Sequence, residues 1–267
     1  MAGDARDDTG AVVPLAGPPQ RVVSLVPSLT ETVAATSPTR LAGATDWCSH
    51  PAGLDVPRVR GTKNPDLSLI QALAPDLVLA NEEENRPADL AALRAAGVPV
   101  WVTVVRTVDQ ALTSLRRMLT VACGLPVPGW LDEAAAAWAG VGPGPPRRAV
   151  IPVWRRPWMV LGRDTFAGDV LARLGVGNLY AGHAERYPKA ALDQLRAAGP
   201  DLIVLPDEPY HFTAVDGPEC FPGTDCALVS GRHLTWYGPS LADAPQVLAR
   251  QLGQPVPAPP TREEHDR

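Results

Sequence analysis

Two stretches 125 residues apart in this chain carry the same plan. Leu67 to Ala80 reads LSLIQALAPDLVLA, and Leu192 to Pro206 reads LDQLRAAGPDLIVLP. With Pro75 set on Pro200, leucine meets leucine at the start, apolar residues meet three positions on, and a Pro-Asp-Leu corner leads into an apolar run in both. Each copy reads as helix, break and buried strand. A short apolar strand recurs easily by chance, but a helix, a corner and a strand in one register do not. The chain is therefore expected to hold two related lobes. Between them lies Cys123 to Arg148, CGLPVPGWLDEAAAAWAGVGPGPPRR. Its Pro126, Pro128, Pro143, Pro145 and Pro146 stop regular structure at both ends, while Trp130 to Ala139 is made of strong helix formers.

At 267 residues the chain can give each lobe its own core. A net charge of −5 with no basic block excludes a nucleic-acid footprint. No apolar run reaches the roughly 18 residues that span a bilayer. The start, MAGDARDDTGAVVPLAGPPQ, is acidic and broken by Gly and Pro, so it does not read as a signal peptide. Cys48, Cys123, Cys220 and Cys226 show no CxxC spacing and read as reduced thiols; a Cys220–Cys226 bridge is the minority reading.

Strands alternate with helices throughout, which predicts an α/β fold of mostly parallel sheets flanked by helices. In the first lobe the strands are placed at 21–26, 41–45, 77–80 and 98–104, with helices at 30–35, 67–73, 87–96 and 108–122. Ser28 and Thr30 are read as caps of the first helix, with Glu31 in its first turn. In the second lobe the strands are placed at 149–153, 159–161, 178–180, 202–205 and 226–229, with helices at 166–174, 189–198 and 239–252. The expected organisation is a disordered segment 1–20, a lobe 21–122, a connector 123–147, a lobe 148–252 and a disordered tail 253–267.

Ligands of parallel sheets sit at the carboxyl ends of the strands, so the loops there are the candidate site. In the second lobe these loops carry Trp154, Arg155, Arg156, Trp158, Tyr210, Phe212, Trp236 and Tyr237; the first lobe contributes Trp47. Flat rings with arginines suit a large planar ligand bearing carboxylates or amides. The bland alternative is that single rings such as Trp158 and Trp236 plug the sheet ends. Among His50, His183, His211, His233 and His265, only His50 and His211 are kept, as axial ligands to a metal already held in a chelate. The run Glu82-Glu83-Glu84 reads as a solvated loop edge more readily than as a hard-cation site. GxSxG, HExxH and the P-loop are absent, Gly140 to Gly144 is linker, and Ser24, Ser28 and Ser230 have no base identifiable in sequence, so no catalytic centre is expected.

These pieces, in order, resemble the substrate-binding proteins of ABC importers that have a helical backbone between two lobes, in particular the cobalamin-binding group and its iron-chelate and haem relatives. The resemblance rests on RVVSLVPSLTETVAA, GATDWCSHP, LSLIQALAPDLVLA, WMVLGRDTFAGDVLARLGVGNLY, RYPKAALDQLRAAGPDLIVLPDEPYHF and GRHLTWYGPSLADAP, and covers about Arg21 to Leu252. It implies a non-enzymatic, monomeric receptor with no intrinsic cofactor, holding a corrinoid, haem or ferric siderophore in the cleft between the lobes. By the same resemblance, Ser28, Lys63 and Asn81 join Trp47 and His50 on the first-lobe side, with Lys63 and Asn81 standing where rings are expected. The importer permease is the implied partner, docked by an acidic residue on each lobe; Asp193 fits, but its counterpart is Ser68. The connecting helix is shorter than the family's backbone helix. The family is exported or membrane-anchored, whereas this chain opens without a signal, which places it in the cytoplasm if that start is authentic. Two further readings follow: an intracellular enzyme or metallochaperone that modifies or delivers a chelate, and an interaction module with an empty cleft.

Overall fold

The computed structural model describes residues 5–142 and 144–253, and the tail beyond 253 lies outside the described residues. The chain forms two compact units. The first takes in 5–105, 109–135 and 237–239, and the second 106–108, 136–236 and 240–253. The expected connector is thus shared out, and the segment 237–239 returns to the first unit.

The first unit runs β1 (Ala5–Arg6), β2 (Val12–Val13), β3 (Val22–Ser24), α1 (Pro27–Thr36), β4 (Leu41–Ala44), β5 (Arg60–Gly61), β6 (Asn64–Pro65), α2 (Leu67–Ala72), β7 (Leu77–Asn81), α3 (Pro87–Ala95), β8 (Val100–Thr103) and α4 (Val108–Arg117). A π-turn, Met118–Ala122, continues α4, and α5 (Gly129–Ala139) follows. The second unit adds β9 (Arg147–Val150), β10 (Pro152–Arg155), β11 (Trp158–Val160), α6 (Phe166–Arg173), β12 (Val176–Asn178), α7 (Leu192–Ala197), β13 (Leu202–Pro206), β14 (Cys226–Val229), α8 (Gly231–Thr235) and α9 (Ala244–Gly253).

The main sheets are parallel, in the orders β4-β3-β7-β8 and β12-β9-β13-β14. Numbered within each unit, both orders are 2-1-3-4, so the repeat seen in sequence is a repeat of topology. Helices α2 and α3 cover one core, where Val23, Ile70, Val78, Leu90, Leu93 and Val100 meet. In the other, Val150, Leu195, Ile203, Leu205 and Phe212 are packed.

The Pro-Asp corner explains itself in atoms. Asp76 Oδ2 accepts the N–H groups of Gln20 and Arg21 at 2.8 and 2.9 Å, and Arg21 donates to Leu73 O at 2.7 Å. In the second unit Asp201 Oδ2 accepts Arg148 N–H at 2.9 Å, and Arg148 donates to Gly199 O at 3.0 Å. Backbone and side-chain hydrogen bonds from Arg148 hold the Asp201 carboxyl below its usual range. Each corner pins the start of its central strand to the end of the preceding helix, where a chain reversal leaves carbonyls without helical partners. That reversal needs a left-handed residue, supplied by Ala74 (φ 46°) in one copy and Gly199 (φ 63°) in the other.

Four expectations fail. Residues 5–20 are not disordered: β1 and β2 pair as a hairpin, and Asp7 is 2% exposed. Helix α1 begins at Pro27, with Val26 as its cap residue and no side-chain cap; Ser28 and Thr30 are buried inside it. The stretch 154–158 is not a loop, because β10 and β11 form an antiparallel hairpin in which Arg155 faces Trp158. Residues 231–235 form the short helix α8, capped by Ser230.

Candidate functional site

Of the rings expected at this end, Trp154, Trp158, Tyr210 and Phe212 gather, in two layers. Trp158 stacks on Phe212 with centroids 6.1 Å apart and planes 9° from parallel, and Phe221 meets Trp158 edge-on at 5.5 Å. Phe212 and Phe221 are buried, so this layer is core. In front of it, Tyr210 packs on Phe212 at 4.6 Å and meets Trp154 edge-on at 5.6 Å. Trp154 keeps 41% of its surface exposed and is the open face of the cluster. The β10–β11 hairpin carries the two tryptophans, and the segment after β13 carries Tyr210 and Phe212.

Arg155 does not reach out for a ligand carboxylate. It pairs with Asp216 and with Glu219 (2.6 Å), and its guanidinium lies 5.7 Å from the Trp158 ring. Tyr210 O–H donates to the same Asp216 at 2.7 Å. The guanidinium is a strut that fixes the back of the ring layer. Its side chain is only 15% exposed, so these contacts are poorly screened.

Trp236 is set apart from this cluster. It is buried, and its indole N–H donates to Glu208 Oε2 at 3.1 Å. Burial, then the neighbouring Asp207 charge, pushes the Glu208 carboxyl up, against the Trp236 hydrogen bond and Arg232. Gly231 allows this packing, since a Cβ there would lie 2.6 Å from Glu208 atoms; its N–H donates to Asp207 Oδ1. Sequence reading missed Glu208, whose signal is its place just after a buried strand.

Ser230 does have a neighbouring imidazole. Its Oγ lies 2.8 Å from His233 Nδ1, and His233 Nε2 lies 3.3 Å from Asp243. The chain of groups resembles a triad in composition only. Ser230 Oγ caps α8, and the nearby Gly231 N–H, which an oxyanion needs, is already bonded to Asp207. An anionic intermediate there meets two carboxylates, Asp207 and Glu208, in place of donors.

In the first unit the strand ends carry a polar network. Asn81, 3% exposed, donates to Thr103 O and accepts from the Glu83 and Glu84 N–H groups at 2.8 and 3.1 Å. Asn85 accepts Asn81 N–H and donates to Thr62 O at 3.0 Å. Tyr237 is buried at this end, its hydroxyl hydrogen-bonded with Thr103 and Ser28 and its pKa pushed up by burial. Ser28, Asn81 and Tyr237 therefore have polar groups engaged within the unit. Lys63 Nζ donates to Glu83 O. The Glu82–Glu84 run is not simply a solvated edge: burial raises the Glu84 carboxyl, partly offset by Lys63.

Trp47 is the accessible ring of this unit, 67% exposed. Its loop is held from behind by buried Cys48 between Thr30 and Thr45 (3.0 and 3.1 Å) and by Arg58, which donates to Thr45 O and Cys48 O. His50 pairs with Ser49 at 3.1 Å, and His211 Nδ1 lies 3.4 Å from Asp207 O. No cluster of three metal-ligating side chains occurs among the described residues. His265 lies outside them. Cys220 and Cys226 are unbridged. Ser68 and Asp193 occupy matching positions near the starts of α2 and α7. Asp193 is 93% exposed beside Arg196, while Asp66 caps α2 and pairs with Arg60.

No family model matches the chain. The vitamin B12-binding protein of Pectobacterium carotovorum is 25% identical over 250 residues, covering 88% of each chain. Among solved structures, the periplasmic vitamin B12 binding protein BtuF of Vibrio cholerae matches with a TM-score of 0.70 at 20% identity, over 88% of this chain and 97% of that one. The periplasmic heme-binding protein BhuT, solved in complex with two hemes, matches with a TM-score of 0.71 at 26% identity, over 88% and 98%. In fold and in sequence the chain is similar to the periplasmic binding proteins of the cobalamin and haem group, in line with the resemblance seen in its motifs.

Proposed function

We propose that this protein is a non-enzymatic substrate-binding protein for a cobalamin-like or other metal chelate, serving ABC-type uptake. The observation that carries the proposal is the outer ring layer, Trp154 over Tyr210, braced by a second layer and by an arginine that is fully occupied. A braced aromatic face suits a macrocycle, because little side-chain entropy is lost when the ligand covers it. Trp47 is the contact proposed from the first unit. The chelate's own metal supplies no demand for a protein metal cluster, since a macrocycle needs at most an axial ligand. The similarity to vitamin B12- and heme-binding proteins supports the same chemical class. Docking to permease subunits is proposed to use Asp193, with no matching charge at Ser68.

The deciding measurement is a spectroscopic titration of purified protein with cyanocobalamin, haemin and ferric siderophores, repeated with Trp154→Ala. Saturable binding to one of them, weakened by the substitution, is expected. Absence of saturation by all of them at micromolar protein refutes the reading, and turnover of a bound chelate replaces it with an enzyme or metallochaperone.

A further inference from the structure

The first sheet ends at β8, VWVT, a sequence of high strand propensity in which every residue is buried. In a parallel ladder alternate residues point their backbone groups away from the neighbour; here Val102 and Val104 face outward, since Thr103 O accepts Glu82 N–H from the β7 side. An edge of this kind invites pairing with another strand. It is closed by the N-terminal hairpin, and largely by side chains. Val102 N–H donates to Asp7 Oδ2 at 3.2 Å, Val104 N–H donates to Asp8 Oδ2 at 3.2 Å, and Asp8 N–H donates to Val102 O at 3.1 Å.

The same carboxylates are held by cations. Arg94 pairs with Asp7 at 3.2 Å, Arg117 and Ser114 bind Asp8, and Arg117 also donates to Arg6 O at 2.7 Å while lying over the Trp101 ring. Asp7 in turn organises its own turn by accepting Thr9 and Ala11 N–H groups at 2.9 and 3.0 Å. Two short strands, each of two residues, thus cover the edge through charge rather than through a ladder.

We propose that residues 5–11 are an acidic edge guard that keeps the chain monomeric, and that the β8 edge beneath it is a pairing surface for a second copy of the chain. An identical edge is always present at the protein's own concentration. Two copies related by a twofold axis pair antiparallel, each Val102 exchanging its N–H and C=O with the other. The guard replaces those partners with Asp7 and Asp8.

The test is made on the full chain with Asp7→Lys and Asp8→Lys together, which set like charges against Arg94 and Arg117. Sedimentation velocity between 1 and 100 µM protein and hydrogen exchange at Val102 are read together. Wild type is expected to stay monomeric with slow exchange. The variant is expected to exchange at least tenfold faster when dilute, to dimerise as concentration rises, and to regain Val102 protection as it dimerises. Fast exchange without dimers overturns the pairing surface, dimers that leave Val102 unprotected place association elsewhere, and slow exchange in dilute monomer overturns the guard. Should near-UV circular dichroism show that the double lysine variant is unfolded, Asp7→Leu with Asp8→Leu removes the acceptors without adding charge and is judged by the same outcomes.

Discussion

The two units share a sheet order and a corner but not a chemistry. At the end of the third strand of each sheet, position for position, stand Asn81 and Pro206. Asn81 anchors a buried amide network that closes the first unit's strand ends, whereas Pro206 leads into a segment that carries Tyr210 and Phe212 out to the tryptophans of the hairpin. The duplication thus preserved what a parallel sheet needs to fold, the arginine–aspartate pin and the leucine-to-leucine register, and left the strand-end loops free to differ. Residues that build the scaffold are constrained by hydrogen bonds to backbone, while loop residues are held by fewer such constraints.

This contrast is open to direct attack, first through the network. Asn81→Ala removes several hydrogen bonds from a buried amide, and a cost of about 3 kcal/mol in unfolding free energy is expected, against about 1 kcal/mol for Pro206→Ala, a buried side chain with no hydrogen bond to lose. Urea midpoints measure both, and equal losses would erase the distinction. Next in size is the ligand wall. Trp154→Ala is expected to weaken chelate binding by about 10- to 100-fold, roughly 1.4 to 2.8 kcal/mol, and Trp47→Ala by less, since Trp47 has no ring layer behind it. A titration in which Trp47→Ala does more harm would move the site's centre to the first unit.

The corners give a smaller and more symmetrical test. Nothing surrounds a Cβ built on Gly199, so Gly199→Ala costs only its left-handed backbone, about 1 kcal/mol. Ala74→Gly is expected to gain about 0.5 kcal/mol, less because glycine also frees the unfolded chain. Thermal melts that move both variants the same way would deny that the corners are equivalent.

The smallest effect is in pH. Each unit has one carboxyl after its third strand, Glu84 and Glu208, raised mainly by burial. A raised carboxyl binds a proton in the native state before the unfolded chain does. Stability from these groups therefore grows as pH falls from 7 through their raised values and levels off below about 4.5. Glu84→Gln and Glu208→Gln should each flatten that slope in denaturant titrations between pH 7 and 4.5; an unchanged slope would show that neither group titrates there.

How far the sequence could be read depended on how local each interaction is. Strand Cys226–Val229 and helix α6, expected at 166–174, were legible, because periodicity acts within a few residues. The gathering of Trp154, Trp158, Tyr210 and Phe212 was expected from strand-end loops of one parallel sheet, but the two tryptophans reach it on the β10–β11 hairpin. Arg155, Asn81 and Ser28 were read as ligand contacts, and in the folded chain their polar groups are engaged by other residues of the protein. For Arg155 the partner Glu219 lies far along the chain, and for Asn81 the near partners Glu83 and Glu84 are joined by the distant Thr103, which no local pattern announces.

The sequence by itself determined the duplicated α/β plan and the corner, both set by short-range preferences that any chain of this pattern must satisfy. Only the tertiary structure decided which polar groups remained available. It placed Tyr237 in the first unit although Trp236 belongs to the second, and turned an acidic start into cover for β8. The reason is physical: a buried donor, acceptor or charge must find a partner somewhere in the folded chain, and which one it finds is fixed by packing between distant segments.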